Sequence, residues 1–269
     1  MAGQTNKFTA LILAADRSPS DPVAEATGAP CKSLSPVGDI PMVIRVIETL
    51  EATSEVDSSI LCGPSREIIS QSPELSQALT NNNIRWIPNR ETPSTSTYEA
   101  LQQVDQEKPI LVTTADHALL TPQIVDYFCS QARQTDYDLA VGLASYDMLS
   151  KAFPNCRRTV TKLKNDGFCS CNLFAFLTPN SYSAANFWRQ VEQQRKKPWR
   201  IVSICGWITV LRFLLGQLTM EEGLRRISRR MGLKAGAIMM AQPEAAVDVD
   251  TVEDLALANK IIANRGGNS

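Results

Sequence analysis

Apolar residues in this chain gather into short runs, separated by stretches in which they recur every three or four positions. That alternation is expected of β-α-β units wound around a mostly parallel sheet. Phe8–Leu13 reads as the first strand. Over residues 41–52, Met42, Val43, Val46, Ile47 and Leu50 fall at helical spacing behind a proline suited to a first turn. Short strands are predicted at 59–62 and 84–87 with a polar helical region at 68–79 between them, followed by a helix at 95–104 and a buried strand at 109–114. Thr121 and Pro122 open a helix running to about Arg133, and the chain returns as a strand at 139–144.

The rhythm then changes. The string RRTVTKLKNDGFCSCNLFAF predicts a hairpin about the turn-forming triplet Asn165, Asp166 and Gly167, which makes the sheet mixed. Residues 179–232 read as wholly helical, with segments at 181–196, 201–215 and 220–231. Late strands are predicted at 235–240 and 245–249, and Thr251 caps a closing helix whose buried face is Val252, Leu255, Ala256, Ala258, Ile261 and Ile262. The expected fold is a three-layer α/β/α sandwich on a Rossmann-like, mixed but mostly parallel sheet. It forms one domain over residues 1–269, with a helical insert at 179–234.

Composition narrows the function. With 43% hydrophobic and 20% charged residues the chain is of ordinary globular type, and a formal net charge of -1 argues against a general nucleic-acid binder. Seven cysteines without a disulfide framework read as reduced thiols, so a cytoplasmic location is expected. No apolar run reaches the roughly 18 to 20 residues of a membrane span; the nearest, 201–215, is interrupted by Arg212. The insert is locally basic, a surplus of eight positive charges interleaved with Trp188, Trp199, Trp207, Phe213, Leu214 and Leu215. This composition suits either a solvated amphipathic face or a surface for an anionic, partly apolar acceptor or an acidic lipid headgroup.

Chemistry concentrates at predicted strand ends. FTALILAA runs into a loop carrying Arg17 and then Lys32, two cations placed to trap phosphates at one edge of the sheet. Asp116 ends the apolar run PILVTTAD, and Asp248 and Asp250 follow the late apolar stretch. Carboxylates from two separate strands can share a hard cation, and Mg2+, which takes oxygen ligands from one or two carboxylates together with substrate phosphates, fits this pattern. Asp248 is the sharper ligand candidate beside Asp116, since Asp250 and Thr251 also begin the last helix. His117, the only histidine, is read as structural, and Cys169 and Cys171 lack the spacing and partners of a zinc site. Neither a P-loop nor a G-x-G-x-x-G dinucleotide signature occurs.

The strings LILAADR, PCKSL, PVGDIPMVIRVIETL, TTADHALLTP and DVDTVEDLALA together resemble the nucleotidyltransferases of glycosyltransferase-A-like fold. These include the MobA-like NTP transferases, the molybdenum-cofactor guanylyltransferases and the sugar-phosphate nucleotidylyltransferases. The resemblance spans about residues 8 to 260 and is thin over 179–232. It implies an activity of the EC 2.7.7 type, an NMP moving from GTP or CTP to a small phosphorylated acceptor with release of pyrophosphate. It implies catalytic roles for Arg17, Lys32 and Asp116, Mg2+ on Asp116 and Asp248, and nucleotide contacts from Leu13, Ala14, Ala15, Arg17 and Lys32. It also implies base and ribose contacts from Ser94, Thr95 and Ser96, and an acceptor contact from Asn172. One departure is plain: the chain has LAADR where such proteins carry a glycine-rich loop. Two further readings follow from the residues: a glycosyltransferase using a nucleotide sugar, from the literal D-x-D of Asp248 to Asp250, and a catalytically decayed module that binds a nucleotide or lipid headgroup.

Overall fold

The first strand, β1 (Phe8–Leu13), buries Phe8, Ala10 and Ile12 on one face of the sheet and Leu11 on the other, so helices must cover both sides. The structure, a computed structural model, describes residues 7–15, 20–81, 84–105, 107–164, 166–194 and 206–266. β1 lies parallel between β4 (Val56–Cys62) and β6 (Ile110–Thr114), and β5 (Arg85–Ile87) extends the sheet beyond β4. On the other side, β9 (Gly167–Phe176) runs antiparallel between β6 and β7 (Leu139–Ser145), and β10 (Ala235–Met240) pairs parallel with β7. β8 (Thr161–Lys162) forms the hairpin with β9, and β2 (Pro36–Val37) pairs with β3 (Ile40–Pro41) off the main sheet. The eight-stranded sheet is thus mixed and mostly parallel, with helices on both sides.

One face is covered by α1 (Pro22–Thr27), α2 (Met42–Glu51), α4 (Pro73–Asn81), which follows α3 (Arg66–Ser70), α6 (Pro122–Arg133) and α7 (Tyr146–Ala152). The apolar stripe of α2 is buried in full: Met42, Val43, Val46, Ile47 and Leu50. α5 (Pro93–Leu101) and α8 (Tyr182–Gln194) pack on the opposite face, with α9 (Trp207–Leu214) and α10 (Met220–Met231) following in the chain. Between that face and helices α8 and α10 lies an apolar cavity of about 340 Å3, lined by Val112, Val141, Phe174, Trp188, Ile227 and Met231 among others.

Three expectations are corrected. The helical region at 68–79 is two helices, because Pro73 cannot donate the hydrogen bond that would continue α3 and instead opens α4. The strand at 245–249 does not form: Pro243–Ala246 makes a 3-10 turn, with Val247 N–H bonded to the Glu244 carbonyl, and the chain continues extended outside the sheet. In the closing helix α11 (Val252–Gly266), Leu255 and Ala258 are buried, but Val252 and Ala256 face outward. Thr251 does cap α11, accepting from Asp254 N–H while the Asp254 carboxylate takes the Thr251 N–H and hydroxyl. The helix expected at 201–215 is described only from Trp207, its first part lying outside the described residues. Among the described residues no helix is long and apolar enough to cross a membrane.

Candidate functional site

β1, β4 and β6 all point their carboxyl ends toward one edge, and the backbone stays joined just past them. Ala14 N–H bonds to the Cys62 carbonyl, Ala115 N–H to the Leu13 carbonyl, and Val249 N–H to the Asp116 carbonyl, each within 3.0 Å. The chain proceeds from β1 to β4 on one side and reaches β6 on the other, so this is a topological switch point, where open α/β sheets form ligand crevices. Leu13, Ala14 and Ala15 border it, and the next residues, Asp16 and Arg17, lie outside the described residues. Gly63, at φ +78, lies under this loop: a Cβ there would meet the Ala15 Cβ and amide nitrogen at 3.3 Å.

Asp116 projects from the turn after β6. Lys32, at the start of a 3-10 turn, places its Nζ 2.6 Å from Asp116 Oδ2 and 2.7 Å from Asp250 Oδ1. Asp248 is held otherwise: Arg158 pairs with its carboxylate and donates to its carbonyl, and Asn172 Nδ2 donates to its Oδ2 at 2.7 Å. Asn172 adopts a left-handed φ of +50 to do so, a conformation that asparagine tolerates better than other non-glycine residues. One carboxylate oxygen from each of Asp116, Asp248 and Asp250 falls within 4.8 Å of the others.

The electrostatics follow from this crowding. Burial would lift the Asp116 carboxyl, but the adjacent Lys32 ammonium outweighs it and holds the group below the usual carboxylate range. Burial, and then the Asp116 charge, push Asp248 up to about 6 against the pull of Arg158. Burial disfavours the Lys32 ammonium, yet Asp116 and Asp250 together raise its pKa above the ordinary value. Burial drives His117 down to about 4, so its imidazole is neutral at physiological pH.

A hard divalent cation fits this donor set. All three groups are carboxylates, and Asp116 Oδ1 is buried with no hydrogen-bond partner among the described residues, leaving one lone-pair site unspent. Asp116, Asp248 and Asp250 are the residues that would hold such an ion.

Residues expected at the base and ribose lie elsewhere along the same edge. Ser94, Thr95 and Ser96 form the first turn of α5, capped by Thr92, whose hydroxyl accepts from Thr95 N–H. Ser94 donates its hydroxyl to Glu192 of α8, and Ser96 Oγ accepts from Arg90 N–H at 2.8 Å. The structure therefore brings Lys32, Asp116, Asp248 and Asn172 together, while the Ser94 hydroxyl is already engaged by a carboxylate. Arg158 and Glu192 were not singled out in the sequence, and nothing in the string RRTVTK marks its second arginine as the partner of Asp248. The D-x-D spacing was the signal for Asp250, whose carboxylate reaches Lys32 while its backbone amide joins the cap of α11.

Comparisons with known proteins show the family and the likeness of fold. A family model described as MobA-like NTP transferase domain matches residues 10–234. Among solved structures, a hypothetical transferase from Thermus thermophilus is 27% identical with a TM-score of 0.75, covering 93% of this chain and 99% of its own. A CMP:2-keto-3-deoxy-manno-octonic acid synthetase complexed with CTP has a TM-score of 0.57 at 12% identity, covering 96% of this chain and 100% of that one. A 4-diphosphocytidyl-2C-methyl-D-erythritol synthase from Anaerococcus prevotii has a TM-score of 0.58 at 13% identity, covering 96% and 99%. The last two establish likeness of fold. No curated protein matches the chain.

Proposed function

The chain belongs to the MobA-like NTP transferase family, and from that premise we propose that it moves an NMP from GTP or CTP to a small phosphorylated acceptor, with Mg2+ as cofactor and pyrophosphate as the second product. The observation that carries this reading is the convergence of Asp116, Asp248 and Asp250 with Lys32 at the switch point of the sheet.

A phosphate oxygen of the acceptor attacks the α-phosphorus, a new P–O bond forms, and the bond from the α-phosphorus to the bridging oxygen breaks with pyrophosphate leaving. The nucleophile is already anionic near neutral pH, so no covalent residue or general base is required. What the reaction demands is that two anions be held in line and their repulsion offset. Lys32 turns from its carboxylate partners to the triphosphate, and Arg17, two positions after Ala15 in the chain, adds a second cation. Leu13, Ala14 and Ala15 border the phosphates; the Ala14 N–H is held by the Cys62 carbonyl, so the Ala15 N–H, the first past the ladder of β1, is the backbone donor of the three. Ser94, Thr95 and Ser96, at the N-terminal turn of α5, are the base and ribose contacts, and Ser94 exchanges Glu192 for the nucleotide. Asn172 orients the acceptor while fixing Asp248. Asp116 and Asp248, with Asp250 beside them, would hold Mg2+, which would supply charge neutralisation for the phosphates. Arg158 holds the Asp248 carboxylate in place for that role.

The test is to incubate the protein with α-labelled GTP or CTP, Mg2+ and a panel of sugar phosphates and other phosphorylated alcohols. Acceptor-dependent release of pyrophosphate, with the label passing to the acceptor, is expected. Transfer from a nucleotide sugar without pyrophosphate release would replace this proposal with glycosyl transfer.

A further inference from the structure

α9 is amphipathic in the wrong sense for a helix of a free surface. Trp207, Ile208, Leu211, Leu214 and Leu215 recur at positions one, two, five, eight and nine of a helical run, and they are 66%, 45%, 46%, 75% and 60% exposed. Phe213 adds a sixth large apolar side chain at 42% exposure. The polar side of the helix is the one that faces the protein: Thr209 is buried and accepts from Arg226 of α10, and Arg212 pairs with Glu222 of α10. Isolated exposed apolar residues are ordinary, but a continuous stripe on one helix marks a surface that meets something.

What it meets is indicated by the charge around it. α10 carries Arg225, Arg229 and Arg230 on its exposed side, and none forms a salt bridge with a described residue. Arg230 lies against the start of α9, its Nη2 3.7 Å from where a Cβ of Gly206 would stand. An apolar stripe beginning with a tryptophan and flanked by exposed arginines matches an anionic lipid surface on both counts, since the interfacial region takes the apolar side chains and the headgroups take the cations. α9 has eight residues, far short of a span, so it would lie in the plane of the interface.

We infer that α9 and the exposed arginines of α10 form a peripheral docking surface for anionic membranes, separate from the acidic cluster at the sheet edge. The inference rests on this face alone and stands or falls independently of the proposed transferase activity.

The experiment is co-sedimentation of the full chain with phosphatidylcholine vesicles and with vesicles of phosphatidylcholine and phosphatidylglycerol. Binding to the mixed vesicles is expected, weaker at high salt, and reduced about tenfold by Leu211→Glu combined with Leu214→Glu and also by Arg225→Glu combined with Arg229→Glu. Both variants should keep the circular dichroism and melting temperature of the parent, because the substituted side chains face outward. Failure of the parent protein to bind mixed vesicles would overturn the inference. So would a concentration-dependent dimer abolished by the two leucine substitutions, since a second copy would then be what covers the stripe.

Discussion

Lys32 and Asp116 are 84 positions apart in the chain, yet the Lys32 ammonium lies 2.6 Å from the Asp116 carboxylate. The lysine offsets a cluster of carboxylates that would otherwise repel one another. Replacing it should separate its two roles. In Lys32→Met the midpoint for stabilisation by Mg2+ should move several-fold lower, because the carboxylates have lost their internal cation. Turnover should fall by about a hundredfold or more, because the triphosphate has lost a fixed positive partner. Mg2+ titrations followed by thermal melting, alongside pyrophosphate-release kinetics, check both halves.

Arg158 should prove as necessary to the site as the carboxylate it holds. Its side chain is 7% exposed and that of Asp248 is 18% exposed, so removing the arginine leaves a nearly buried carboxylate without its partner. Arg158→Ala should cost about 3 kcal/mol of stability. Arg158→Lys should recover only part of it, since an ammonium cannot serve the carboxylate and the carbonyl of Asp248 with one rigid fork. Denaturant unfolding of the three proteins measures this.

Gly63 supports the loop after β1 from below. Gly63→Val would place a branched side chain at a positive φ and against Ala15, which should destabilise the protein by about 2 kcal/mol or more. The same substitution should raise the KM for the triphosphate more than it lowers kcat, because it displaces backbone that borders the site and leaves the acidic cluster intact. Steady-state kinetics of the variant test that split.

Asp138 supplies a pH-dependent contribution far from the site. Burial acts to raise its pKa, but hydrogen bonds from Lys234 N–H, Thr178 and Asn180 prevail and hold it below the usual carboxylate value. A depressed carboxyl stabilises the fold above its unfolded pKa of about 3.9, and that contribution is lost as the pH falls through the folded value. Asp138→Asn should therefore melt lower than the parent at pH 7, with the gap narrowing as the pH falls below the ordinary carboxylate value of about 3.9. Melting curves across that range decide it.

Most of the architecture was legible because the apolar pattern is local: Phe8–Leu13 and Ala235–Met240 occupy the positions their sequences predict, and α2 buries its stripe. The late stretch at 245–249 misled for an instructive reason. Ala245, Ala246, Val247 and Val249 are buried as their apolarity demands, but in a turn and an extended segment that join Asp116 past the end of β6 instead of pairing in the sheet. Lys32 and Asp116 could be anticipated because each stands where a charge beside an apolar run is conspicuous; Asp248 was reached from the late apolar stretch and the resemblance, although the strand it was expected to end does not form. Arg158 and Glu192 could not, since their roles come from tertiary contacts with Asp248 and Ser94 that no sequence spacing encodes. The outward stripe of α9 was visible only as apolar composition; which side it faced required the helix to be packed on α10.

Thermal melting of the protein with each common nucleoside triphosphate, with and without Mg2+, addresses the central claim most directly, because a ligand bound only by the folded state raises the transition. A rise with GTP or CTP that requires Mg2+ and disappears in Asp116→Ala is expected. No rise with any triphosphate, or an equal rise in the absence of Mg2+, would contradict the account.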